Sequence, residues 1–409
     1  MLVDMGDMLR HARANGYAVG AFDPVSPDFL RAIVAGAENR RSPVILGLAE
    51  SHYACSDIEL LMPAVRVAAE RASIPIAIHL DHGRSLEAVV RGIRQGCNGV
   101  MVDTSTEPLE ENIARTRAVV EMAHACGIPV EGKLGYLAGV EGEAAGHHPG
   151  EVIHRSPEEA ERYVEETGVD FLAVFIGTVH GRRHGEPRPD YKRLGIPLVL
   201  HGSTDLSDQQ LRSLVTNGIA KINHDMTLAD GVGSVIRKYA QKAENPSYTD
   251  LVRGVQDAIR AEVERGISRW GSAGQADEVM AACRPWREVE HLIVYNLSGT
   301  GPEEAATMMA EGRRILGAIP GVRQIITGTS IREDAPYRHC WLVRFAHPAV
   351  IDSYREHPDH QAFADDQFRP RAGDRISIDY SLVSTHLVGT RETKESNTGA
   401  SADRKKRCG

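Results

Sequence analysis

Eight short apolar runs recur through the first 230 residues, and their repetition constrains the fold more than any other feature. They read YAVGAFDP, PVILGLAES, PIAIHLDHG, GVMVDTS, PVEGKLG, FLAVFIGTVHG, PLVLHGST and AKINHDMT. Each is brief and ends in polar residues or glycine, as a strand buried on both faces does. Stretches with helical periodicity, such as DIELLMPAVRVAAERA and LEENIARTRAVVEMAHACG, separate most of them. Strand–helix alternation implies parallel βαβ units. Eight such units at this length fit an α/β fold of the (β/α)8 TIM-barrel type. A doubly wound sheet is the competing architecture, and the absence of a GxGxxG turn counts against it. Two connections break the rhythm. YLAGVEGEAAGHHPGEVIH, after the fifth strand, is long and glycine-rich, as a mobile active-site loop would be. SYTDLVRGVQDAIRAEVERGISRW, after the eighth, is a closing helix ended by GSAGQA.

A chain of 409 residues is longer than one barrel needs. Near residue 285 the pattern changes to EVEHLIVYNL, GVRQIITGTS, RHCWLVRFA and DRISIDYSLV, with two helical segments between them. That order predicts a ferredoxin-like α+β domain. The expected organisation is a barrel over 1–276, the α+β domain over 286–384 and a disordered tail over 388–409, where apolar residues almost vanish. The net charge of −9 and pI near 6.1 supply no general basic field for nucleic acid. No apolar run approaches the roughly 18 residues of a membrane span. The N-terminus reads as a short amphipathic helix without a signal-peptide core. Six scattered cysteines with no CxxC pair suggest reduced thiols in a cytoplasmic protein.

In such barrels catalytic residues gather where strands end at the C-terminal face. Three strand ends carry histidine followed by glycine: His82 in HLDHG, His180 in GTVHG and His201 in VLHGS. Any one of them could be bonded to a neighbour, but three in equivalent positions suggest a catalytic zinc site with an open coordination position. The glycines would let backbone approach a ligand. His79, three residues before His82, is expected to point away as a packed or supporting histidine. Alternation directs Asp81 to a different side of the metal, where its carboxylate can exchange a proton with a polarised substrate. Glu141, in the glycine-rich loop, is a candidate second acid/base. Gly202 and Ser203 precede a helix start, and Asn223 and Asp225 end the eighth strand, where barrels often hold a phosphate.

With these residues in place, the chain strongly resembles the class II, metal-dependent fructose-bisphosphate and tagatose-bisphosphate aldolases over residues 1 to about 276. YAVGAFD, RSPVIL, HLDHG, GVMVDTS, EENI, VEGKLGYLAGVEGE, GVDFLAVFIGTVHG, PLVLHGSTDL, KIN and GSAGQA carry the likeness. The resemblance implies zinc (Zn2+) on His82, His180 and His201, and reversible aldol cleavage of a ketose phosphate or related hydroxy-ketone to give an aldehyde. Asp81 would serve the aldehyde-side oxygen and Glu141 the carbon beside the ketone. Gly181, Gly202 and Ser203 would lie near the ketose phosphate and a monovalent cation (Na+ or K+), and Asn223 would support the enediolate.

Several positions depart from the family pattern. Asp23 stands where asparagine is common, and Ala49 replaces a serine before Glu50. Lys133 replaces the second glutamate of the VExEL run. His184 replaces a lysine, and Met226 a phosphate-binding threonine, with Thr227 one step late. Methionine cannot donate a hydrogen bond to phosphate. Arg182 and Arg183 are either replacement cations or surface charges. The expectation is aldolase chemistry on a substrate other than the glycolytic one; an aldol-type lyase or isomerase acting on a non-phosphorylated or atypical substrate in specialised metabolism is a second reading, and a metal-retaining scaffold assembled through the C-terminal domain a third.

From about 286 to 384, EHLIVYNL, GVRQI and YREHPDHQAF resemble the stress-responsive dimeric α/β-barrel (Dabb) family. That implies a homodimer or higher homo-oligomer. A second small-molecule site there would draw on His291, His339, His357 or His360, although HPDHQ also reads as a helix start.

Overall fold

The computed structural model describes residues 1–54, 56–137, 152–153, 155–174, 178–179, 182–183, 193–201, 206–224, 226–241 and 247–382. The eight expected strands form a closed parallel barrel. They are β1 (Val19–Phe22), β2 (Val44–Ala49), β3 (Ile76–Gly83), β4 (Gly99–Val102), β5 (Val130–Leu134), β6 (Phe171–Val174), β7 (Leu198–His201) and β8 (Ile219–Asn223). Each pairs with its neighbours in sequence, and β8 closes on β1 with Val19 opposite Lys221. Nearly every strand residue is buried, because helices cover the outside and side chains fill the inside.

Helix α1 (Met5–Asn15) begins at Asp4, whose side chain accepts from the Asp7 amide, and ends at Gly16 with φ +69°. Its Met5, Met8 and Leu9 pack with Val19, Ile45, Ala77, Met101 and Val199 inside the barrel. A Cβ at Gly99 would stand 2.2 Å from Met5 Sδ, so β4 must begin with glycine for α1 to seat there. The end opposite the histidines is therefore plugged by apolar side chains. The closing helix α9 (Tyr248–Trp270) is capped by Ser247 and packs its Val263 against Gly36 of α2 (Pro27–Asn39). Among the described residues no helix is long and apolar enough to cross a membrane.

The C-terminal domain has four strands: β9 (Val289–Leu297), β10 (Val322–Thr329), β11 (His339–Phe345) and β12 (Ala372–Ser381). They form an antiparallel sheet in the order β10-β11-β9-β12. Helix α11 (Pro302–Leu316) follows β9; α12 (Val350–Glu356) and α13 (Pro358–Phe363) precede β12, giving the βαββαβ order expected. Gly312 of α11 sits against Trp341 and Phe363, which fixes the helices on one sheet face. His357 is the N-cap of α13, its Nδ1 accepting from the Asp359 amide at 3.2 Å. HPDHQ is thus a helix start. At the junction with the barrel, Arg323 is buried and donates to Ile93 O and to Cys97 O. Its charge pairs with Glu288, which also binds Arg66 of α3 (Ile58–Arg71) at 2.9 Å.

Candidate metal centre and active site

β3 is the longest barrel strand, and its last residues turn into the mouth. Alternation alone would place Asp81 and His82 on opposite faces. His82 instead adopts φ +49°, a left-handed conformation uncommon for a residue with a Cβ, and the pairing of β3 with β4 shifts between Leu80 and Gly83. The turn brings His82 Nε2 to 3.7 Å from Asp81 Oδ2. It also presses the backbone onto β4: a Cβ at Gly83 would lie 2.7 Å from Met101 O. Gly83 therefore serves strand packing.

His201, ending β7, meets His82 through Nδ1 and Nε2 at 3.1 Å. On its other nitrogen it faces Glu131 Oε1 of β5 at 3.0 Å. Glu131 Oε2 accepts from Lys221 Nζ of β8 at 2.7 Å. His82 Nδ1 is held by Asp103 Oδ2, just past β4, at 2.7 Å. The same oxygen accepts from Lys133 Nζ at 3.1 Å. Asn223, ending β8, donates to Asp81 Oδ2 at 3.0 Å. A chain of polar contacts thus runs Asp103–His82–His201–Glu131–Lys221 across the barrel mouth.

The charges are strongly coupled. Burial alone would raise the Asp81 pKa, but the positive charge of His82, with that of Lys221, outweighs it and holds Asp81 ionised. Burial works against the His82 imidazolium, yet the Asp81 and Asp103 carboxylates push its pKa up to about 9. Burial works to raise the Glu131 pKa, but the Lys221 ammonium, with the bond from His201, keeps it well below the usual carboxylate range. His79 is buried, its Nε2 3.3 Å from Glu131 Oε2 and 4.0 Å from Asp81 Oδ1.

One donor atom each from Asp81, His82 and His201 lies within 4.8 Å of the others. The two imidazoles suit zinc or a similar divalent metal, with the Asp81 carboxylate beside them. Asp81 Oδ1 and Asn223 Oδ1 are buried without a hydrogen-bond partner among the described residues, so the cluster holds acceptors ready for a cation or a substrate hydroxyl. His79, Asp81 and Glu131 form a second compact donor group. Lys221 already supplies its positive charge, 2.7 Å from Glu131 and 3.9 Å from Asp81. The first group is the better metal position.

Of the residues expected from the sequence, Asp81, His82, His201 and Asn223 come together here. Glu141, His180, Gly181, Gly202, Ser203 and Asp225 lie outside the described residues, as do His147, His148 and His184. Arg182–Arg183 is a short strand antiparallel to Thr178–Val179. Asp103, Glu131 and Lys221 escaped the sequence reading. Their signal is a charged residue at an inward position of an otherwise apolar strand, or just past its end.

Fold and site together define a (β/α)8 barrel with a histidine–carboxylate cluster, a candidate metal centre, at its strand ends. The sequence comparisons say which. Residues 3–275 match the family model described as fructose-bisphosphate aldolase class-II, and residues 289–382 match the stress responsive A/B barrel domain. A fructose-bisphosphate aldolase of Thermus caldophilus is 37% identical over 309 residues, covering 68% of this chain and 100% of that protein. The fructose-bisphosphate aldolase of Geobacillus stearothermophilus is 37% identical over 289 residues, covering 67% and 99%. The crystal structure of the YdjI aldolase from Escherichia coli K12 superposes with a TM-score of 0.58 at 29% identity, over 68% of this chain and 100% of that one. The chain belongs to the class II fructose-bisphosphate aldolase family, a family of metal-dependent aldehyde-lyases, and carries a C-terminal Dabb domain.

Proposed function

We propose that this protein is a zinc-dependent aldolase that cleaves and forms a ketose phosphate or related hydroxy-ketone. The observation that carries the reading is the convergence of His82, His201, Asp81 and Asn223 from the ends of β3, β7 and β8 across the barrel mouth. His82, His201 and His180 would hold the metal. Bound there, zinc supplies a Lewis acid that polarises a ketone oxygen and stabilises negative charge beside it. In cleavage, Asp81 accepts the proton of the hydroxyl that becomes the aldehyde oxygen. The carbon–carbon bond breaks, and its electron pair stays with the ketone fragment. Protonated Glu141 then delivers a proton to that carbon. Asn223, already bonded to Asp81, orients that carboxylate and faces the developing charge. Gly181, Gly202, Ser203 and Asp225, with a monovalent cation and with Arg182 and Arg183, would receive the ketose phosphate.

A second reading, an unphosphorylated or otherwise atypical substrate, is favoured by Asp23, Ala49 and Met226 at positions where the family pattern differs. A metal-binding scaffold has no use for an ionised Asp81 beside the metal position. The free cysteines Cys97, Cys126, Cys283 and Cys340 suit action in the cytoplasm. The C-terminal sheet suits a homodimer.

Metal-dependent exchange of the α-proton of dihydroxyacetone phosphate, or of dihydroxyacetone, tests the enolising half-reaction without the aldehyde. His82→Ala should lose zinc and turnover, whereas Asp81→Ala should keep zinc and lose turnover. Unchanged turnover in either variant refutes the assignment. Cleavage of fructose 1,6-bisphosphate at ordinary aldolase rates would refute the atypical-substrate reading alone.

A further inference from the structure

Lys133 of β5 carries a charge that the reaction above does not use. It stands two residues after Glu131, on the same inward side of the strand, and is 6% exposed. An ammonium this deep needs a carboxylate. Lys133 Nζ meets one 3.1 Å away at Asp103 Oδ2. That oxygen is also the one His82 Nδ1 meets, at 2.7 Å. The lysine and the imidazole therefore divide one oxygen between them.

The carboxylate does not need the lysine to stay in place. Its Oδ1 accepts from the Ser105 hydroxyl at 2.6 Å and from the Ser105 amide at 3.2 Å. What Lys133 adds is charge. Glu131, behind His201, offers the comparison. His201 Nε2 faces Oε1, whereas Lys221 Nζ donates to Oε2. There the imidazole and the ammonium use different oxygens; at Asp103 they compete for the same one.

A carboxylate behind a ligating histidine makes the imidazole a stronger donor to a metal. An ammonium on the same oxygen cancels much of that push, and its own charge repels a divalent cation nearby. Resting on the zinc aldolase reading above, we propose that Lys133 tunes the zinc through Asp103 and His82, keeping it loosely held and strongly electrophilic. A weaker donor at His82 leaves more positive charge on the metal, where negative charge develops beside the ketone.

The test uses the full-length protein, freed of metal and titrated with zinc against a chelating dye. Zinc binding that is absent from the wild type, or unmoved by His82→Ala, overturns the metal reading and this inference with it. Lys133→Met should tighten zinc binding by about tenfold, the low end of what a group behind a histidine ligand is worth. Lys133→Gln keeps a donor for Asp103 without the charge, and should tighten it similarly. A lysine that merely braced Asp103 would give weaker binding in Lys133→Met and no change in Lys133→Gln. The α-proton exchange of dihydroxyacetone phosphate and of dihydroxyacetone is then followed by NMR at saturating zinc. Exchange of neither ketone by the wild type overturns the aldolase reading and this inference with it. With the ketone that exchanges, both variants should be slower by about tenfold. Zinc bound no more tightly by either variant, or exchange unslowed in both, overturns the inference and leaves the aldolase reading intact. Should Lys133→Met not fold, Lys133→Gln decides alone.

Discussion

His82 Nε2 and His201 Nδ1 face each other at 3.1 Å, so one proton fits between them. With His82 Nδ1 bonded to Asp103, its Nε2–H donates towards His201 Nδ1, and a pKa pushed up to about 9 keeps that proton on at neutral pH. A metal must displace it, since only neutral imidazole is a ligand. Metal uptake at pH 7 should therefore release about one proton from this pair, and affinity should weaken up to about tenfold per pH unit as pH falls below 9. Calorimetric titration with zinc in two buffers of different ionisation enthalpy measures the release; no difference between buffers would remove His82 as a displaced proton donor. Lys221 gives a second prediction. It is fully buried against the fully buried Glu131. Lys221→Met strands that carboxylate and should cost about 3–5 kcal/mol in urea unfolding. A loss below 1 kcal/mol would mean that Glu131 takes up a proton cheaply.

Elements hold the site from behind. Glu262 of α9 accepts from His224, the residue after β8, at 2.7 Å and from Arg265. Burial works to raise the Glu262 pKa, but these partners prevail and hold it at about 2. Its folded-state pKa is depressed, so the stabilisation is complete above the ordinary value of 4.5 and fades as pH falls through about 2. Glu262→Gln should cost about 1–2 kcal/mol at pH 7, allowing for partial solvent screening, and less at pH 3. Denaturation at the two pH values checks the sign. The sequence revealed the strands and two of the histidines because an apolar run ending in His-Gly is a local signal. His82, His201 and Asp81 were legible for that reason. Glu131 and Lys221 were not, because each is a lone charge in an apolar strand, and only barrel closure brings Glu131 of β5 and Lys221 of β8 to within 2.7 Å of each other. The left-handed turn at His82 was also hidden, since it depends on how β3 slips against β4.

At the scale of the whole molecule, the C-terminal sheet has one face on its helices and another without a partner among the described residues. Pairing puts Ile326, Leu342, Leu292 and Ile378 in one row across all four strands. Val294 and Ile376 follow in the next row. Ile326 is 43% exposed, Ile376 43%, Ile378 39% and Tyr380 48%, an apolar patch unusual for a solvated surface. Facing two such sheets across a two-fold axis covers both with one contact, and β12, an edge strand, lies where the copies meet. The barrel mouths would then belong to separate subunits, and the domain would set assembly without supplying a catalytic group. Ile378→Glu places like charges near the centre of that contact. Light scattering should find the wild type at twice the 44.6 kDa chain mass and the variant at the chain mass. The concentration dependence of the wild-type unfolding midpoint should disappear in the variant. A wild type that is monomeric at micromolar concentration would reject this face as the dimer contact. A variant that stays dimeric would move the contact to the barrel.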